Sequence, residues 1–396
     1  MMRGITRWAG AVVLVLVAAW GGLWWYTEGR LHDMLASYAR MQTTSDGAST
    51  VAYDSISKGA NPLTASATIH NLRWSMSPAG QSAPIAVGMA QVKVWIDAYN
   101  PLVMHIGLPN QVVFTTARVA GSFNFGSIDV RAGVDPRALV NRDLYALTSQ
   151  TVAIHNFDLV AGGTNLALLH IDDLALHESF NPEAKAGETA LTAQGSEDGL
   201  SLPPMVVLLG HVPFGGKIAH VGYSVTASGP ADWSGLMDQM HSGQLSQQAR
   251  QQLLVRTAHQ WAAAGGNAKA SLNLVVGPTT LNASGAVVFD ATAQPGGTAT
   301  VSADHLDAFT AAITNAYPEL AQSIAQIETQ LSPYLTTTDA GGQVLNMQVV
   351  YGKAGVVVNG SRKADMPPLD WTKLENPPAP VPVASGDGSG AATTGP

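Results

Sequence analysis

Histidine, aspartate and glutamate are the side chains of this sequence whose types and spacing could do acid–base or metal chemistry, since cysteine is absent. Two histidines sit in a repeated phrase, "TIHNLRW" at Thr68–Trp74 and "AIHNFDL" at Ala153–Leu159. As a pair, His70 and His155 could hold a metal or move protons. Acid–base work needs a partner within hydrogen-bond reach, and no local acid recurs beside the two copies. A second group, His170, Asp172, His177 and Glu178, puts candidate metal ligands close together. Alternate strand positions share a face, so His170 and Asp172 would lie on one strand face, whereas a metal site needs three or four converging donors. The group reads as solvated polar residues beside a loop. No G-x-S-x-G, phosphate-loop, H-E-x-x-H or dinucleotide pattern occurs. "GHVPFGG" at Gly210–Gly216 reads as a turn, and Trp233 and Trp261 as core anchors. The sequence therefore assigns no catalytic, cofactor-binding or metal residue and calls for no cofactor.

The elements that carry the repeated phrase give it another meaning. Ala65, Ala67 and Ile69 alternate on odd positions, but after His70-Asn71 the apolar residues are Leu72, Trp74 and Met76. The same shift separates Val152 and Ile154 from Phe157 and Leu159. It separates Leu169 and Ile171 from Leu174 and Leu176, where Asp172-Asp173 stand in for His-Asn. A polar pair that moves the alternation by one marks a β-bulge or a tight bend. Asn and Asp suit such a place because they bond locally and tolerate unusual backbone angles. On this reading the isoleucines face the core and the histidines lie on the polar side.

Composition limits the partners and the compartment. Charged residues are 12% of the chain and the net charge is −8, without the Lys/Arg clusters that phosphate binding requires; nucleic acid is not expected. Trp8 to Tyr26 carries no charge and follows Arg3 and Arg7. That length approaches a bilayer span, the arginines place the amino end in the cytoplasm, and Trp8, Trp24, Trp25 and Tyr26 sit where aromatic rings meet the headgroup layers. A cleaved signal peptide ending near Val17-Ala18-Ala19 is the alternative. The apolar run past that point favours an uncleaved anchor that contacts membrane lipids, and either reading exports the rest of the chain.

The expected fold is α+β: an extended, mostly antiparallel sheet system with a few long helices, behind one amino-terminal transmembrane helix. The anchor occupies residues 1–27, and Glu28–Gln42 continues its helix. A β-rich region spans 28–178, with a short helix at Asp135–Ser149. Residues 179–204, rich in Glu, Gly, Ala and Ser, read as a loop and internal boundary. An α+β region spans 205–370, with helical patterns at Ala231–Ala264 and Asp304–Leu335, the second broken at Pro318. It also holds hairpins around Gly277-Pro278 and Gly352. Residues 371–396, dominated by Pro, Ala, Gly and Ser from Glu375 onward, are expected to be a disordered tail.

The stretch from Trp261 to Ile313 carries Trp, then Gly-Gly, a strand, Gly-Pro, a second strand with central Gly285, then Pro-Gly before a helix. With the closing "VVYGKAGVVVNG" and Pro367-Pro368-Leu369, it resembles the bacterial family known as domain of unknown function 2125. Gly59-Ala60-Asn61-Pro62 departs from the Gly-Phe-Pro often found there. The resemblance implies an envelope protein held in the bacterial inner membrane by a single pass, with its bulk in the periplasm, and it transfers no functional residue. A non-enzymatic structural or interaction role, with other envelope proteins as partners, is the first expectation. Binding or transfer of lipid or another apolar ligand along a concave sheet is the second, and an envelope hydrolase the third. A continuous apolar groove would favour the lipid reading, two filled sheet faces the structural one, and converging His and acid residues the hydrolase.

Overall fold

A computed structural model of the chain describes residues 24–33, 35–37, 49–61, 63–77, 84–134, 147–162, 166–241, 247–338 and 342–376. The first of these are helical, residues 24–33 and 35–37, and form α1. Strands β1 (Ser49–Ala52) and β2 (Ser55–Lys58) lie end to end on β3 (Thr64–Met76), which pairs with β4 (Ile85–Asp97). Next, β5 (Asn100–Gly107) and β6 (Gln111–Thr115) lie end to end between β4 and β7 (Ala120–Val134). The sheet continues through β8 (Leu147–Ala161), β9 (Leu166–Phe180), β10 (Thr189–Ser201), β11 (Lys217–Ser228), β12 (Asn267–Val276), β13 (Thr279–Phe289) and β14 (Pro295–Asp304). Then β16 (Gln343–Gly352) pairs with β14 and carries β15 (Leu335–Thr337) and β17 (Gly355–Val358) on its other edge; β18 (Ser361–Ala364) closes the series. All pairings are antiparallel, and the described strands belong to one sheet.

Helices gather at the ends of this sheet. They are α2 (Pro204–Gly210), α3 (Trp233–His241), α4 (Gln247–Ala263), α5 (Leu306–Ala316), α6 (Ala321–Leu331) and α7 (Trp371–Glu375). Pro318 separates α5 from α6 as the sequence predicts, because proline lacks the N–H that would continue the helix. The hairpins at Gly277-Pro278 and Gly352 also form where expected, and Gly277 takes φ 54° at its turn.

The repeated phrase is a bend. Asn71 and Asn156 adopt φ of 52° and 51°, the left-handed region that Asn tolerates better than most residues. On β3 and β4, Ile69 pairs with Val92, His70 with Gln91 and Leu72 with Met89. One residue is passed over on both strands, so the register survives and no bulge forms. On β7 and β8, Phe125 pairs with Phe157 and Ser127 with His155, leaving Gly126 across from Asn156. On β8 and β9, His155 pairs with Asp173 and Phe157 with Ile171, placing Asp172 at the same level. On β10 and β11, Asp198 pairs with His220 and Leu200 with Ile218, and the residue between, Gly199, has φ 71°. The gap between β5 and β6 falls on this line too, where Phe125 N donates to Asn110 O at 2.8 Å. A crease thus crosses the sheet from β3 to β11.

Burial is shallow for a chain of this size. The principal buried cluster lies where α1 covers one end of the apolar face: Leu31 against Ala65, Ala67, Val94, Ile96, Met104 and Ala132.

Three sequence expectations need correction. Residues 179–204 are not one loop: only the segment around Asn181–Glu188 turns, and Thr189–Ser201 is β10, hydrogen-bonded on both sides. The central positions of its apolar face are the small Ala193 and Gly195 followed by the charged Glu197, which hid the strand signal. The helix placed at Asp135–Ser149 falls mostly outside the described residues, and β8 already occupies its end from Leu147. Residues 371–376 are ordered, because α7 docks: Trp371 stacks on His259 at 4.8 Å and donates to Ala293 O at 2.9 Å, and Glu375 accepts from His259 at 2.7 Å. The rest of the expected tail lies outside the described residues.

Candidate functional site

Strand alternation sorts the sheet into two chemically distinct faces. One register row runs Val130, Val152, Leu176, Gly195, Tyr223, Leu272, Ala283, Val301, Met347 across β7–β14 and β16. Every member is apolar, glycine or tyrosine. The neighbouring row, one residue along each strand, runs Arg131, Thr151, His177, Gln194, Ser224, Ser271, Ser284, Thr300, Gln348. Every member is polar. The two rows point to opposite faces, so a continuous apolar strip crosses the sheet on one side and a hydroxyl- and amide-rich strip on the other.

The apolar strip is uncovered at its middle. Tyr223, Val225 and Leu272 are 38–40% exposed. At the ends the same face is closed: Ala303, Leu345 and Val276 are buried, with α5 packed on β13 and β16. At the opposite end Trp261 of α4 packs edge-on against Phe289, and Phe289 meets Trp371. The helices leave an apolar band between them, and Tyr223 and Leu176 fold over Gly195 within it. Beyond the crease the same face continues as Phe114, Phe123, Phe157 and Phe125, in ring contact at 4.8–5.9 Å. Two carboxylates stand on this face: Glu178, paired with Ala193 beside Val225, and Glu197. Glu197 stands in the row of Ile154, Leu174, Val221 and Leu274, and its Oε1 is buried without a hydrogen-bond partner. Burial, then the charge of Asp198, raises its pKa.

The opposite face is recessed. An open trough of about 660 Å³ is lined by His177, Gln194, Ser224, Asn273, Asn282 and Thr300 among others. The concave surface of this part of the sheet is therefore the polar one, contrary to the expectation of a concave apolar face. Near the crease that face carries histidine–aspartate pairs. His155 Nδ1 bonds Asp173, and His220 Nδ1 lies 2.6 Å from Asp198 Oδ1. Asp173 and Asp198 are register partners, so the two pairs stand side by side. His170 lies between Asp158 at 2.8 Å and Asp172 at 3.0 Å. The Asp158 bond, opposed by burial and aided by Asp172, raises the His170 pKa.

These contacts place the histidines that the sequence singled out. His70 Nε2 meets Ser57 Oγ at 2.8 Å, but Asp54 is bonded to Asn71 at 2.6 Å, so no acid completes a triad. His70 and His155 do not meet each other. His170 and Asp172 share a face as expected and are in contact, while His177 turns instead to Thr151 at 3.0 Å. Among the described residues no group of three or more His, Asp or Glu side chains is placed to hold a metal ion. The acid partners of His155, His170 and His220 are cross-strand or two residues away, and strand register was the signal needed to find the cross-strand ones. Of the anchor residues, Trp8 lies outside the described residues. Trp24 is docked on the sheet with Nε1 donating to Thr64 O at 3.4 Å, and Trp25 and Tyr26 are exposed. Among the described residues no helix is long and apolar enough to cross a membrane.

A single-layer antiparallel sheet, creased across its strands and two-faced in chemistry, is the class of protein this geometry defines. The chain belongs to the family described as an uncharacterized protein conserved in bacteria (DUF2125), whose model matches residues 24–358. Neither the curated proteins nor the solved structures contain a match to the chain.

Proposed function

We propose that this is a non-enzymatic envelope protein, anchored in the bacterial inner membrane with its bulk in the periplasm, that shields the acyl chain of a lipid on the apolar strip of its sheet. The observation that carries the reading is the uncovered middle of that strip. Tyr223 and Leu272 stay 40% exposed within the apolar row, and Val225, two residues along β11 on the same face, stays 38% exposed. Exposed apolar bands of this kind mark ligand or partner surfaces. An acyl chain laid across the strands would cover the rows that the helices leave bare. The bare strip speaks against a purely structural role, in which both faces would be filled; because the recessed face is the polar one, the lipid would lie on an open apolar face and not in a groove.

The test is mass spectrometry of small molecules that copurify with the detergent-extracted protein and with the double variant Tyr223→Asp/Leu272→Asp. A lipid retained by the parent and lost by a variant with an unchanged circular dichroism spectrum is the expected result. Copurification of a stoichiometric protein without lipid would instead support the interaction role, and equal lipid in parent and variant would overturn the assignment of the strip.

A further inference from the structure

The end of the sheet from which the chain departs toward its apolar amino terminus presents a second set of exposed apolar side chains, separate from the strip. Leu63 is 64% exposed in the turn before β3, and Tyr99 is 86% exposed in the turn between β4 and β5. Leu102 follows on β5, and Trp25 and Tyr26 lie in α1; all three are exposed. The backbone binds these positions into one tip. Ala98 N donates to Leu63 O at 3.0 Å, Thr64 pairs with Asp97, and Asp97 pairs with Asn100. Trp24 ties the start of α1 to the same place through Thr64 O at 3.4 Å. Arg30 lies 5.7 Å over the Tyr26 ring, which adds a cation beside the aromatic group.

We infer that this tip rests in the headgroup layer of the membrane, with Leu63, Tyr99 and Leu102 dipping in beside Trp25 and Tyr26. Where the remaining chain goes identifies the occupant. The run from Trp8 to Tyr26 is uncharged, and its last residues, 24–26, lie in α1, so a bilayer that takes that run must lie against this end. Tyrosine and tryptophan favour the headgroup depth, where the ring is apolar and the O–H or N–H stays wet. The Tyr99 hydroxyl already donates to Asp97 Oδ2 at 3.1 Å, holding the ring at the turn. Interfacial contacts set how a membrane-anchored element is tilted and rotated. Three contacts, two from turns and one from the start of β5, beside the anchor would fix the orientation of the whole sheet, where an anchor alone would leave it free to swing. The inference rests on the anchor reading for the position of the bilayer.

The absence of cysteine makes the test direct. Single cysteines replace Trp8, Leu63, Tyr99, Leu102 or Leu209 in the full chain, each carrying an environment-sensitive fluorophore. The proteins are reconstituted into phosphatidylcholine vesicles containing a doxyl-labelled lipid. Leu209 is the comparator, because it is apolar and exposed on α2 at another corner of the sheet. Labels at positions 8, 63, 99 and 102 should lose emission to the doxyl lipid and resist aqueous iodide, while the label at 209 should do the reverse. Lipid quenching at position 8 with water-exposed labels at 63, 99 and 102 would overturn the tip and leave the anchor standing. Lipid quenching of the tip without position 8 would keep the tip and overturn the anchor. Water exposure at all positions would overturn both. Equal quenching at 209 and the tip would mean undirected adsorption and would overturn the assignment.

Discussion

Asn156 is the position where the crease can be tested most sharply. At φ 51° it sits in a conformation that costs an ordinary L-residue about 1–2 kcal/mol and glycine almost nothing. Asn156→Gly relieves that strain but adds about 0.5–1 kcal/mol of backbone entropy to the unfolded chain, so the two offset and stability should barely move. Asn156→Ala keeps the strain and loses the polar side chain that stabilises it locally, which should cost about 1 kcal/mol. Asn156→Val adds β-branching at positive φ and should cost about 2 kcal/mol or more. The strand across the crease supplies a second arm. A Cβ added at Gly126 would lie 3.0 Å from Asn156 Cβ and 3.1 Å from His155 O. Gly126→Ala should therefore destabilise, and part of that loss should disappear when Asn156→Gly removes the opposing Cβ. The carbonyl contact stays, so a coupling of about 0.5–1 kcal/mol is expected, not full rescue. Urea unfolding of the detergent-solubilised chain, followed by circular dichroism, reads all five variants. A glycine variant as unstable as the valine variant would refute the positive-φ bend, and strict additivity of the two sites would refute the contact across it.

Ile69→Ala should cost about 2–5 kcal/mol as a truncation in a closed core, because Ile69 is buried. Ile154→Ala should cost clearly less, since its side chain is only half-buried on the strip; thermal melts that rank the two in reverse would contradict the face assignment. Removing residues 377–396 should leave the melting temperature unchanged, whereas removal from Trp371 onward should lower it by deleting the His259, Ala293 and Phe289 contacts of α7; equal melts would show that α7 does not dock. His170 should titrate above an unperturbed histidine because Asp158 and Asp172 hold its protonated form. With the folded pKa raised, its stabilisation is full below the unfolded pKa of roughly 6.5 and fades as pH rises through the folded value. Proton NMR of the ring in parent and Asp158→Asn proteins checks this, and an unchanged midpoint in the variant would contradict it.

Much of the fold is legible because strand pairing is local. Each hairpin has its own turn residues and its own alternation, so β12–β13 and β16–β17 can be read from Gly277-Pro278 and Gly352 without knowing the rest. The bend is legible for the same reason: the phase change at Asn71 and Asn156 is written in the flanking apolar residues. Register is not local. Whether Asp173 faces His155 or lies one residue away depends on the length of the turn at Gly162, and a shift of one residue sends every side chain to the other face. That is why the histidines were visible and their cross-strand aspartates were not. Curvature was also hidden, because alternation separates the faces without saying which one is concave. The docking of α7 was missed because Trp371 stands just before a Pro-, Ala- and Gly-rich stretch that outweighs it in composition.

The crease and the apolar strip depend on each other. A strand that kept strict alternation from Val152 through Leu159 would carry Val152 and Ile154 on one face and Phe157 and Leu159 on the other. The apolar surface would then change sides halfway along the sheet, leaving neither face continuous. Passing over one residue at Asn156, and over its partners at Gly126 and Asp172, returns Phe157 and Leu159 to the face of Ile154. The neighbours at Asn71 and Gly199 do the same for their strands. A bulge on a single strand could not achieve this across the sheet, because it shifts the register against each neighbour. A left-handed residue answered by a passed-over residue on the next strand preserves register and resets the faces together. The repeated Ile-His-Asn phrase is therefore the device that keeps one apolar surface running across two arms of a bent sheet. Its histidines face the polar side because its isoleucines face the other.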